Sequence, residues 1–124
     1  MLDHVGLLVA DLERSKRFYL DALTPLGYAV FREKGADAVG FAIGQKPDFW
    51  LHRRSGGDNG APVHVCFASP DRTTVDAFYA AAIAAGGRDN GPPGLRPHYH
   101  PGYYGAFVLD PDGNNVEAVH HSRI

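Results

Sequence analysis

Seven histidines stand against a single cysteine, Cys66, in this 124-residue chain. One cysteine excludes an intrachain disulfide and any multi-cysteine zinc or iron–sulfur centre. Metal chemistry here has to use nitrogen and oxygen ligands. Two histidines, His4 and His64, stand sixty residues apart in matching surroundings, and Glu117 adds a carboxylate near the end of the chain. A second reservoir of chemistry is the stretch from Arg96 to Tyr104, RPHYHPGYY. By residue type, His98 or His100 could act as acid and base, Tyr104 could donate a hydrogen bond, and Arg96 could anchor an anion. Trp50 could supply a flat apolar wall, with His52 two residues along the same strand face.

These residues need elements to hold them. Residues 2–9, LDHVGLLV, read as a strand, and Asp11 as the cap of a helix over 12–23 that stops before Pro25. Strands follow at 28–33, 38–44 and 48–54, with turns at Gly35 and at Gln45–Pro47. A polar, glycine-rich connection runs from Ser55 to Pro62. The pattern then restarts with a strand over 63–68 and a helix ending at Gly86. For that helix Ser69 is expected as the cap and Pro70 at the first position. A weak strand near 88–90 precedes a long loop over 91–102. Strands at 103–109 and 114–121, joined by the turn Asp110–Gly113, close the chain.

The second half repeats the first. A shift of sixty places His4 on His64, Val5 on Val65, Asp11 on Asp71, Phe18-Tyr19 on Phe78-Tyr79 and Gly27 on Gly87. The reading is one domain over residues 1–124, built from two copies of a βαβββ unit, about 1–54 and about 62–124. Side chains alternate along a strand, so Val5, Leu7 and Val9 form one face, and His4, Gly6 and Leu8 the other. The same alternation sets Val65 and Phe67 against His64, Cys66 and Ala68. The bulky faces belong under the helices. The histidine faces, together with Glu117, can then project into a trough made by pairing the two units.

Composition removes other classes. The net charge of −2 offers no basic field for nucleic acid or an anionic membrane. No apolar run approaches the about 18–20 residues of a spanning helix. The first residues, MLDH, lack the basic start of a signal peptide, so a cytoplasmic protein is expected. Hydrophobic residues at 44% and charged residues at 21% are ordinary globular usage, against disorder.

The opening DHVGLLVADLERSKRFY, the restart HVCFASPDRTTVDAFY and the ending YGAFVLDPDGNNVEAV resemble the vicinal oxygen chelate superfamily. That group includes glyoxalase I, extradiol dioxygenases and bleomycin-resistance proteins. The resemblance covers nearly the whole chain, with DPDGNNVE its most diagnostic piece. It implies an α+β fold of two repeated βαβββ modules, a curved mixed-sheet trough with helices on the convex side. It also implies a divalent metal (Fe, Mn, Ni or Zn) on His4, His64 and Glu117. The activity implied is chelation of two adjacent oxygens of a small-molecule substrate for isomerisation, lyase or ring-cleavage chemistry, in a homodimer. One departure stands out. Glyoxalase I adds a fourth ligand, a glutamate, on the last strand of its first module. The stretch Phe49–His52 holds no acidic residue there, and Trp50 is the expected occupant. Two histidines and one glutamate resemble the facial triad of the extradiol enzymes. The alternative is a metal-free binding protein like the bleomycin-resistance relatives.

Overall fold

Two aspartates sixty residues apart decide where both helices begin. In the computed structural model, which describes residues 1–56 and 60–122, Asp11 accepts the backbone N–H of Arg14 at 3.1 Å and starts α1, Leu12–Leu23. Asp71 accepts the N–H of Thr74 at 2.7 Å and starts α2, Arg72–Ala84. Each carboxylate satisfies a donor that the first helical turn leaves without a partner. Asp71, not Ser69, therefore caps the second helix. The Ser69 hydroxyl instead donates to the carbonyl of Asp71, at 2.8 Å, and Pro70 lies outside the helix.

The strands are β1 Val5–Val9, β2 Ala29–Lys34, β3 Ala38–Ile43, β4 Lys46–Arg53, β5 His64–Ala68, β6 Arg88–Leu95, β7 Tyr103–Leu109 and β8 Asn115–His121. They form two four-stranded mixed sheets of the same plan, β1-β4-β3-β2 and β5-β8-β7-β6. In each, the first strand runs parallel to the last and the other pairs are antiparallel. The fold is thus α+β with two repeated modules. β1 starts at Val5, so His4 sits just before the strand. β6 is longer than the sequence pattern suggests and runs through Gly91-Pro92-Pro93-Gly94. Two register shifts against β7 and its place at the sheet edge let the prolines sit where no ladder donor is required. The loop beside it shrinks to 96–102.

One face of each sheet meets the helices and a shared core. Leu7, Phe41, Phe49 and Leu51 come from the first sheet, and Phe67, Val108 and Val116 from the second. Phe49 and Phe67 pack edge to face, with ring centroids 5.2 Å apart, across the two halves. The final turn adds a polar lock. Asp112 accepts from the backbone of Ala10 at 3.1 Å and from the Ser15 hydroxyl at 3.2 Å, and buried Tyr19 donates to Asp110. Asp110, 3% exposed, also accepts three donors from Asp112 and Asn114. The other face of each sheet looks away from the core, and on these two open faces stand most of the candidate site residues. No helix among the described residues is long and apolar enough to cross a membrane.

Candidate active site

On the second sheet, Glu117 is the side chain that most needs explaining. It lies at the centre of β8, 1% exposed, between Cys66 of β5 and Phe107 of β7. A buried carboxylate is costly unless its oxygens find donors. One oxygen lies 2.7 Å from Nε2 of His64. The other accepts the hydroxyl of Tyr103. Gly105 makes this possible, because a Cβ there would stand 3.1 Å from the Tyr103 ring and 3.3 Å from the carboxylate. Beside this carboxylate the neutral forms of Cys66 and Tyr103 are favoured. Desolvation, then the nearby Glu117 carboxylate, pushes the Cys66 thiol up to about 12. The same two causes raise the Tyr103 phenol, so it remains a donor.

The Arg96–Tyr104 stretch divides. The guanidinium of Arg96 lies over the Phe107 ring, 5.4 Å from its centroid, on the open face beside Glu117. His100 takes the N–H of Gly102 on Nδ1 at 3.1 Å, which leaves its proton on Nε2 to donate to Nδ1 of His121 at 2.8 Å. Both rings stand edge-on to Tyr103. His98 packs on Tyr99, 4.3 Å between centroids, and touches neither Glu117 nor His64. Tyr104 lies away from Glu117. Alternation turns it to the helix side, where its hydroxyl donates to Asp76 of α2 at 2.6 Å under Arg72. The tyrosine beside Glu117 is Tyr103, which residue type alone does not single out. Its signal was the alternation Tyr103, Gly105, Phe107, which shares a face with Glu117 once the β7–β8 register is known.

The first sheet's open face carries different groups. Trp50 and His52 of β4 both lie on it, their rings within 18° of parallel. Register puts Trp50 beside Gly6 and Gly40, just as Glu117 lies beside Cys66 and Phe107. Trp50 therefore holds the place in the first module that Glu117 holds in the second. His4 stands just before β1, its Nδ1 2.7 Å from Asp3, and lines a cleft of about 360 Å³ with Lys34, Lys46, Trp50 and His52.

Within one chain the three candidate ligands fall in two places. His64 and Glu117 meet on the second sheet, and His4 stays with the first. Among the described residues no three His, Cys, Asp or Glu side chains gather closely enough to hold a metal ion.

Comparison with known proteins follows this geometry. The profile of the Glyoxalase/Bleomycin resistance protein/Dioxygenase superfamily matches residues 1–118. A glyoxalase/bleomycin resistance protein from Albidiferax ferrireducens T118 is 33% identical over 98% of this chain and 99% of its own, with a TM-score of 0.78. A lactoylglutathione lyase from Agrobacterium tumefaciens shares the fold at 23% identity, over 97% and 92% of the two chains, TM-score 0.70. A glyoxylase/bleomycin resistance protein/dioxygenase domain from Frankia sp. EAN1pec does so at 20% identity over 98% of each chain, TM-score 0.74. No curated protein matches the chain.

Proposed function

The chain belongs to the glyoxalase/bleomycin resistance protein/dioxygenase superfamily, and from that premise we propose a metal-dependent enzyme acting on a small molecule with two adjacent oxygens. Its ligands are His64 and Glu117 of one chain and His4 of a second chain. The observation that carries this reading is the buried Glu117 carboxylate, which has no lysine or arginine partner among the described residues and lies 2.7 Å from an imidazole nitrogen on an open sheet face. An oxygen and a nitrogen in that relation fit a divalent ion of the Fe, Mn, Ni or Zn type. Such an ion, when bound, supplies Lewis acidity toward the chelated oxygens.

The chain's own groups account for the rest. Tyr103 fixes the carboxylate by donating to the oxygen that His64 does not use. The His100–His121 pair holds a proton at the border of the face, with its direction set by the Gly102 N–H. Arg96, over Phe107, is placed for an anionic group of the substrate. Trp50 stands where a fourth carboxylate would be, so the first module offers no second base, and lyase or ring-cleavage chemistry fits better than glyoxalase I isomerisation. A homodimer would bridge the separation of His4 from the other two ligands if a second copy set one chain's first sheet against the other's second. A cytoplasmic setting suits a protein with one thiol and no disulfide. In a metal-free binding protein Glu117 would serve only as the partner of His64 and Tyr103.

The test is metal titration of chelator-stripped protein. The expected result is about one ion per chain, with His64→Ala and Glu117→Gln each weakening affinity by about 100-fold or more. Wild-type protein that retains no Mn, Fe, Ni or Zn after reconstitution would overturn the proposal.

A further inference from the structure

The first sheet's open face is paved rather than studded. Gly40 and Gly6 flank β4, and a side chain at either would press on the ring that lies over it. A Cβ on Gly40 would come within 2.8 Å of the Trp50 ring, and one on Gly6 within 3.0 Å of the His52 ring. The indole and the imidazole therefore lie down on the backbone of neighbouring strands, 6.2 Å apart and nearly coplanar in orientation. Together they make a flat π surface.

The charges around this surface are mainly positive. The ammonium of Lys34 sits over the indole, 5.4 Å from its centroid. Arg32 is at the register position opposite Gly40. Among the described residues neither is in an ion pair. The acidic groups nearby are engaged. Asp3 is shared by His4 and Lys46, Glu33 pairs with Lys16 and Asp48 accepts from Tyr28. Arg96 on the second sheet's face is also without a carboxylate partner among those residues.

We propose that this platform binds the planar, anionic part of the substrate: an aromatic or conjugated carboxylate stacked on Trp50, with its charge on Lys34. The proposal rests on the functional reading above and names the substrate class of that site. On binding, the Lys34 ammonium exchanges its contact with the indole face for a charge-assisted hydrogen bond to the carboxylate, and the freed indole face takes the ligand's ring. A cationic aromatic compound meets the opposite situation. The cation position over Trp50 is already filled by Lys34, and Arg32 adds to the repulsion.

Trp50 is the only tryptophan, so its fluorescence reports on this surface alone. Benzoate, benzamide and benzamidine have nearly the same shape and carry a negative, no and a positive charge. Titrated into the protein in excess chelator, benzoate is expected to bind about tenfold tighter than benzamide, and benzamidine weakest. Lys34→Met should remove the benzoate advantage and leave benzamide unchanged, while Lys34→Arg should keep it. Equal affinities, a preference for benzamidine, or no binding of any probe would overturn the proposal. So would a benzoate preference that appears only when metal is added back, since the charge would then be the ion's. Metal content is read separately: a benzoate preference in a protein that never binds metal would overturn the metal reading and leave this one standing.

Discussion

Gly6, Trp50 and Gly40 on the first sheet occupy the same three places as Cys66, Glu117 and Phe107 on the second. The frame is duplicated, but the centre differs. In the second module a small carboxylate sits between two side chains that desolvate it, and the adjacent histidine turns to it. In the first, glycine on both sides makes room for an indole. With no carboxylate at the centre, His4 pairs with its chain neighbour Asp3 instead. One copy of the unit has the groups of a ligating surface and the other those of a stacking surface. The difference is set by the central residue together with the size of what flanks it.

This comparison can be broken. The largest effect is expected from exchanging the centres. Glu117→Gln should lower metal affinity by about 100-fold or more, whereas Trp50→Glu, which rebuilds the missing carboxylate between two glycines, should raise it about tenfold by calorimetric titration. Loss of affinity in Trp50→Glu would show that the two places are not equivalent. Next comes the flank. Gly40→Ala forces its new Cβ against the Trp50 ring, and about 1–3 kcal/mol of stability should be lost in urea denaturation, with a red shift in tryptophan emission.

The tyrosines that follow the helix phenylalanines give a third contrast. Tyr19 is buried and donates to Asp110 across the two halves, whereas its repeat partner Tyr79 reaches Asp89 at the surface. Tyr19→Phe should cost about 1–2 kcal/mol and Tyr79→Phe about 0.5 kcal/mol or less. Burial, and then Asp110, hold the Tyr19 phenol well above its ordinary value. Its folded pKa is raised, so its contribution is complete below the unfolded value of about 10. It is lost as pH rises from there toward the folded value. Wild-type stability should therefore fall above about pH 10, and less steeply in Tyr19→Phe. The smallest effect is expected from Tyr103→Phe. It leaves the ligands in place but frees one Glu117 oxygen, and should weaken metal binding by about tenfold or less without changing stoichiometry.

Much of this was legible from residue order. The sixty-residue repeat gave the paired modules, and alternation put His64, Cys66 and Glu117 on one face and Phe67 and Val65 on the other. The same repeat aligned Asp11 with Asp71, which was the signal for the second cap, but the Ser69-Pro70 pair imitated a helix start more loudly. β6 was obscured because two prolines and two glycines read as a loop when the strand lies at an edge. Tyr103 and Tyr104 are not told apart by residue order, because a run of two tyrosines has no parity until its partner strand is known. The separation of His4 from His64 was not legible at all. Alternation says which side chains share a face, and is silent on whether two faces meet within one chain or between two.

That last point gives the most direct test. His4→Ala and His64→Ala chains, each expected to lose tight metal binding alone, are unfolded together in equal amounts, refolded and assayed for tightly bound metal. If His4 of one chain completes the His64–Glu117 site of another, half of the dimers carry one intact site, and binding should return to about a quarter of the wild-type level. If mixing restores no binding, the ligands act within a single chain and the shared-site account is wrong.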